Sequence, residues 1–235
     1  FWLVNAHSKE LNMRTVVIGS GSWGTALAQV LQDNHQEVLV YGVAEAEVND
    51  INENHKNSKY FEDVELNPEL KATTDIQCVK GADIVLLAVP TIAIDPICHQ
   101  INDLLDKKTI IINVSKGFHP ETNERMSEVI RRCIDEDKLS SVVSLIGPSH
   151  AEEVVIRLLT TIDAISLNNE DAVTVQNLFS NQYLRIYTGN DEIGSELGVA
   201  IKNVMAIASG ILSGLGYQDN TRAALITRGL QEMIR

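Results

Sequence analysis

Cysteine is scarce: Cys78, Cys98 and Cys133 are the only three in 235 residues, and they stand far apart. Their number is odd and no C-x-x-C pair occurs, so they offer neither a disulfide framework nor a zinc motif, and they favour a reducing, cytoplasmic compartment. Histidine is no more organised. His7, His35 and His99 each stand alone, and the six histidines lack ligand spacing, so no metal is expected. Basic residues are in short supply, 19 against 32 acidic ones, which leaves a formal net charge of -13. Such a surface repels nucleic acid and anionic membranes, and an anionic substrate would need cations placed locally. No apolar run approaches the roughly 18 residues of a membrane span. Internal repeats and low-complexity segments are also missing. Residues 1–12, "FWLVNAHSKELN", have no basic stretch and no small-residue cleavage site, so they do not read as a signal peptide. Met13 followed by a strand reads as a natural start, and 1–12 as a tag or upstream sequence outside the fold.

What is present is ample apolar material, 44% of the residues, enough for one large domain or two smaller ones. "RTVVI" (14–18) reads as a strand buried on both faces, with a helix from about Trp23 to Leu31. "EVLVY" (37–41), "ADIVLLAVP" (82–90), "TIIINV" (109–114) and "VVSLIG" (142–147) read as further strands. Helical stretches are expected at 44–59, 92–105 and 121–135. This alternation predicts a parallel sheet wrapped by helices. "TTIDAISL" (160–167) and "YLRIYT" (183–188) read as two more strands with a helix near 170–180 between them. From Asp191 to Arg235 everything reads helical, and the chain ends in mid-helix without a stop signal. The expected fold is therefore α/β, a Rossmann-like domain over 13–188 followed by an all-helical domain from 189 to 235 that reads as truncated.

Gly19, Gly21 and Gly24 in "VVIGSGSWGTALAQVL" (16–31) form G-x-G-x-x-G between a strand and a helix. In that context Gly19 permits a tight turn, Gly21 lets backbone approach a pyrophosphate, and Gly24 lets helix and strand pack closely. The phosphates would meet the free N–H groups of the helix start. The alternative is a tight turn with no ligand. At the end of the second strand, "LVYGVAEAE" offers Gly42 and Val43 where an acid would favour NAD and a base NADP, so neither cofactor is clearly preferred.

Lys116 in "NVSKG" lies just past a central strand, where open α/β sheets bind ligands. It is either a ligand contact or a solvated loop lysine. Lys202 is the only basic residue from Ile186 to Thr221, with Leu197, Ile201, Val204, Met205 and Ile207 around it. An ammonium buried there would have a lowered pKa suited to acid–base chemistry, or the side chain could snorkel to water. Asn203 beside it could hydrogen-bond a substrate. In "IGPSHAEEV" (146–154) Ser149 is placed to cap a helix, with Glu152 and Glu153 favouring its N-terminus. Arg222 and Arg228 read as ordinary helix charges.

"GSGSWGTALA", "VP" (89–90), "SKG" (115–117), "GPSHAEEV", "IKNVMAIASG" and "DNTRAALITRGLQEM" occur in an order and spacing that resemble the bacterial type of NAD(P)-dependent glycerol-3-phosphate dehydrogenase, over residues 13–235. The resemblance implies a homodimeric enzyme of phospholipid synthesis that reduces dihydroxyacetone phosphate to sn-glycerol 3-phosphate with NADH or NADPH. It implies that Ser22, Trp23, Gly19, Gly21, Gly24 and Ala151 hold the cofactor, with Val43 at the cofactor-reading position. Lys116 would touch cofactor and substrate, and Gly147, Ser149 and Asn203 the substrate. Lys202 would be the general acid–base. "DNHQEV" lacks the glycine that usually follows Asn34, so His35 is expected to take the turn. Family members run on for roughly a hundred further residues, an ordinary domain's length, which carry an additional phosphate-gripping motif. Two rival readings remain at this point: another enzyme of the 6-phosphogluconate or 3-hydroxyacid dehydrogenase type, and a nucleotide-binding fragment without turnover.

Overall fold

A computed structural model describes residues 13–234; the reading of 1–12 as a tag or upstream segment falls outside the described residues. Eight strands form one sheet in the order β3-β2-β1-β4-β5-β6-β7-β8. They are β1 Thr15–Ile18, β2 Val38–Tyr41, β3 Lys71–Thr73, β4 Ile84–Leu87, β5 Thr109–Asn113, β6 Leu139–Ile146, β7 Thr160–Ile165 and β8 Leu184–Gly189. The first six are parallel. Strand β7, to which the alternation assigns no direction, pairs antiparallel to β6 through Leu145↔Ala164 and parallel to β8.

The helices are α1 Ser22–Asp33, α2 Glu45–Asn49, α3 Thr91–Asn102, α4 Met126–Cys133, α5 Ala151–Val155, α6 Asn169–Phe179, α7 Glu192–Gly214 and α8 Asp219–Ile234. The central strands β1, β4 and β5 are buried at every position because both sheet faces are covered there. Val17, Leu86, Ile112 and Val143 point into one buried cluster with Leu27, Leu31, Val175 and Phe179 of α1 and α6. Their neighbours Val16, Val85, Ile111 and Val142 point the other way, against Ile94, Ile101, Val129 and Ile130 of α3 and α4. The period of two thus serves two cores.

Other expectations shift for local reasons. The helix expected over 44–59 ends in a π-helical turn, Asp50–Asn54, closed by His55 in the left-handed region at φ 53°. The helix expected at 121–135 begins only at Met126, because Phe118 and Arg125 bridge in a small loop first. Strand β3, three residues with one buried, went unread. His35 takes the turn after α1, at φ 56°, as its place after Asn34 predicts. The expectation that nothing approaches membrane length also needs revision. Helix α7, 23 residues, is long and apolar enough to cross a bilayer by length and composition, and little of its most apolar stretch is buried.

The end of α1 is tied to the far half of the sheet. Asp33 accepts two bonds from Arg157, at 2.7 and 3.0 Å, and one from the Tyr183 hydroxyl at 2.8 Å. Burial pushes the Asp33 carboxyl up, but these bonds outweigh it and hold the pKa below the ordinary aspartate value. Since the folded pKa lies below the unfolded one, this stabilisation is complete above the usual carboxylate range and is lost as pH falls through the lowered value. Asp33→Asn should therefore be less stable than the parent at pH 7, and the gap should shrink as pH falls from about 5 through the ordinary aspartate value of 3.8 and below it. Urea midpoints across that range check it; a gap of constant size would exclude the linkage.

Candidate functional site

The six parallel strands end at one edge of the sheet. There the loops carrying Gly19, Val43, Pro90, Lys116 and Gly147 gather. The chain turns back on itself between β1 and β4, since β2 and β3 lie on one side of β1 and β4 to β6 on the other. Ligands of open α/β sheets bind at such a reversal, outside the carboxyl ends of the strands.

The glycine loop has the geometry of a phosphate cradle. Gly19 adopts φ 116°, and a Cβ on it would lie 2.4 Å from the Ala88 carbonyl oxygen of the strand beside it. A Cβ on Gly24 would lie 2.0 Å from the Gly19 oxygen and 3.1 Å from the Ala88 Cβ. These two glycines let α1 sit against β1 and β4. Gly21 is different: a Cβ there would meet nothing within 4 Å. What Gly21 leaves clear is open space at the start of α1. That helix has no side-chain cap bond and no acid in its first turn. Its first N–H groups and positive dipole end therefore face outward without a protein acceptor, as an anion site requires. The Trp23 indole N–H is buried and unpartnered among the described residues.

The loop is braced from behind by residues that its motif does not contain. Ser20 donates to Glu47 at 2.5 Å, and the buried Asn57 amide donates to the Ser20 carbonyl and to Thr25 Oγ1, both at 2.8 Å. Gly42 makes room for this, since a Cβ there would fall 2.5 Å from Ser20 Oγ. Val43 follows on the rim, 84% exposed, with no cation of its own to offer.

Lys116 is placed by a tight turn off β5. Asn113 Oδ1 accepts from the Ser115 N–H at 3.0 Å, and the Ser115 hydroxyl donates to the Val89 carbonyl at 2.5 Å, tying the ends of β5 and β4 together. The Lys116 ammonium lies 5.9 Å from the centre of the Trp23 ring. Although much of its stem is exposed, packing around the ammonium, and then the charge of Lys202, hold its pKa below the ordinary lysine value.

Lys202 arrives from α7. Helix α7 runs alongside α4, which holds it by ion pairs. Glu192 accepts from Arg131 at 2.8 and 2.6 Å, and Glu196 from Arg125 at 3.0 Å and from the Ser127 N–H and hydroxyl at 3.0 and 2.6 Å. One and two turns further on, Val199 and Lys202 line a cavity of about 290 Å³ with Ile146, Gly147, Ser195 and Asp163. Asp163 was not singled out from sequence, although an acid inside the apolar run "TTIDAISL" is a visible signal; burial raises its carboxyl. Among the described residues neither Lys116 nor Lys202 has a carboxylate within ion-pair distance.

The remaining expectations divide. Gly147 is buried where β6 meets β7, and a Cβ there would lie 2.8 Å from the Ile162 side chain. Ala151 is buried at the start of α5. Ser149 does not cap that helix: His150 occupies the cap position without a side-chain bond, and Ser149 turns back to the Gly147 carbonyl at 3.5 Å. Asn203 is exposed and does not line the cavity beside Lys202. The apolar surroundings expected for Lys202 are largely open, with Val204 and Ile207 63% and 66% exposed. Arg222 and Arg228 pair within their own helix, with Asp219 and Glu232.

Comparison with known proteins follows the same outline. A family model described as NAD-dependent glycerol-3-phosphate dehydrogenase N-terminus matches residues 14–173, and its C-terminus counterpart matches 191–235. Glycerol-3-phosphate dehydrogenase (NAD(P)+) of Listeria innocua is 48% identical over 223 residues, 94% of this chain and 66% of the relative. That of Macrococcus caseolyticus is 47% identical over 224 residues, 95% of this chain and 68% of the relative. The chain thus spans about two thirds of the length of the curated relatives it matches. The crystal structure of glycerol-3-phosphate dehydrogenase from Coxiella burnetii superposes with a TM-score of 0.87 at 33% identity, covering 95% of this chain and 68% of that one.

The two kinds of glycine should respond differently to a methyl group. Gly24→Ala forces backbone to move and should cost about 1–3 kcal/mol, the usual scale of overpacking. Gly21→Ala meets no protein atom and should unfold with the parent. Urea denaturation of both variants checks this; equal losses would mean that Gly21 is also a packing glycine.

Proposed function

Because the chain belongs to the NAD-dependent glycerol-3-phosphate dehydrogenase family, we propose that the protein reversibly reduces dihydroxyacetone phosphate to sn-glycerol 3-phosphate. The observation that carries this reading is that Lys116 and Lys202, two cations without carboxylate partners among the described residues, come close enough for the charge of Lys202 to lower the Lys116 pKa, in a chain of net charge -13. Two unpaired cations attract a small anion and stabilise an oxygen on which negative charge develops.

We assign NAD(H) or NADP(H) to Gly19, Gly21, Ser22, Trp23, Gly24 and Ala151, with Lys116 at its reacting end; it would supply the hydride. Support comes from the open space over Gly21 and the uncapped start of α1. Lys202 is assigned as the general acid that protonates the substrate carbonyl oxygen, and as the base in reverse. Lys116, with its lowered pKa, orients the substrate beside it. Gly147, Ser149 and Asn203 belong to the substrate side of this reading. Asn203 is exposed, does not line the cavity and has the least support. Val43 sits at the cofactor-reading position.

The same reading divides the chain near residue 189, with the helical part contributing the acid–base residue. It treats α7 as a packed helix of that part rather than a span, in keeping with the buried ion pairs along its first two turns. A cytoplasmic, homodimeric enzyme of phospholipid synthesis completes the proposal. The unpaired thiols of Cys78, Cys98 and Cys133 suit that compartment.

In the full-length protein, Lys202→Met should leave NADH affinity nearly unchanged and lower kcat for dihydroxyacetone phosphate by at least ~10²-fold, the scale of a lost general acid. Titration calorimetry and NADH oxidation measure the two. A variant that keeps most of its turnover would remove Lys202 from the mechanism. NADH binding without turnover in the parent would instead favour the nucleotide-binding reading. Cofactor choice gives a second test. NADH should serve at least as well as NADPH, and Val43→Arg should raise kcat/KM for NADPH relative to NADH. A strong preference of the parent for NADPH would show that another base reads the 2′-phosphate.

A further inference from the structure

Away from the glycine loop and the lysine pair, α3 and α4 bring three different donor groups together. Asp95 and His99 lie four residues apart on α3 and so share a face; Asp95 Oδ1 is 3.3 Å from His99 Nε2. Cys133 ends α4 with its thiol buried against that face. One ligand atom from each of the three lies within 4.8 Å of the others. Sequence spacing could not reveal this group, because the sulfur comes from a helix 34 residues beyond the histidine.

We propose that Asp95, His99 and Cys133 form a binding site for a thiophilic divalent cation of the zinc class, clamping α3 to α4. Carboxylate, imidazole and thiolate together are a donor set that zinc prefers and that magnesium and calcium do not. The two oxygens of Asp95 already have separate tasks. Oδ2 accepts from Arg132 at 2.8 Å, so Oδ1 is left facing the imidazole, and a metal would take it while Arg132 keeps the carboxylate oriented. Arg132 also lies 3.7 Å from Cys133 Sγ, where its charge favours the thiolate. Asp95 and Arg132 also line a cavity of about 700 Å³ with His119 and Glu124, so the group borders that cavity through Asp95. His119, whose Nδ1 accepts from the Thr122 N–H at 3.3 Å, also lines that cavity. Binding exchanges the thiol proton for the metal, with no change of oxidation state. Because the thiol proton leaves as the metal binds, uptake should strengthen as pH rises.

Cobalt(II) is the probe, because a cobalt–thiolate bond absorbs in the near ultraviolet and reports the sulfur directly. One equivalent should produce that band, zinc should displace it, and zinc should raise the thermal midpoint by binding the folded state. His99→Ala, at a largely exposed side chain, should fold as the parent does, bind at least ~10-fold more weakly and lose most of the zinc-dependent thermal shift. Cys133→Ala should abolish the band and Cys78→Ala should not. A band that survives Cys133→Ala, a parent without a thiolate band, or an undiminished affinity in His99→Ala would each overturn the site. None of these readouts depends on turnover or on dinucleotide binding.

Discussion

Two carboxylates buried one turn apart on α7 govern how Lys202 is presented to the carboxyl edge of the sheet. Glu192 is 3% exposed and Glu196 8%, so neither can be left to water. Removing the partner of such a buried charge costs about 3–5 kcal/mol. The partners are Arg125, Arg131 and Ser127, all on or beside α4, and their spacing admits one register and one rotation of α7. Burial and the neighbouring Glu192 raise the Glu196 carboxyl, while bonds from Ser127 and the charge of Arg125 work against that rise. Everything further along the helix inherits this register, including the approach of Lys202 to Gly147. The rest of α7 has little apolar packing of its own among the described residues, with Ile201, Val204, Ile207 and Ile211 exposed, so the ion pairs carry the positioning.

The glycine loop depends on an opposite kind of constraint. It is held by contacts that admit no side chain at all. Gly24 touches the Gly19 carbonyl, and Gly19 touches Ala88 on the adjoining strand. Close approach there places the start of α1 over the gap between β1 and β4, and the brace from Glu47 and Asn57 keeps Ser20 in line. Burial pushes the Glu47 carboxyl up, yet Lys59 and Ser20 bring it below its ordinary value, so the brace is ionised at neutral pH. A rigid, uncapped helix start and a pair of cations then share one edge of the sheet. In an acidic molecule, that edge is where a small anion finds attraction.

Much of this was legible from the chain alone, and the misreadings have particular causes. Strands β1, β4 and β5 announce themselves because both of their faces are buried, which leaves no polar alternation to confuse the pattern. Strand β3 shows three residues with one buried position, too little for any period. The helix expected at 121–135 lost its first five residues to a bridged loop whose partners, Phe118 and Arg125, lie seven positions apart. Ser149 has the chemistry of a cap but follows Pro148, and its hydroxyl turns to the Gly147 carbonyl rather than to the first turn of α5. The apolar helical neighbours of Lys202 leave both a buried ammonium and a snorkelling one open. Apolar character states a preference for burial, and only packing partners can satisfy it.

The sequence by itself determined the conformation of the glycine loop, the double-faced burial of the central strands, the acidic surface and the standing of Lys202 as the one basic residue between Ile186 and Thr221. Each of these follows from residue type and short-range spacing, which act through local backbone sterics and the preference of apolar groups to leave water. Tertiary structure alone decided the reversal at β7, the pairing of Arg125 with Glu196 across 71 positions and the approach of Lys202 near enough to Lys116 to lower its pKa. Those outcomes depend on which distant charges must share a dry interior and which surfaces close over one another. That choice is made by desolvation and packing between segments, and no window of neighbouring residues contains it.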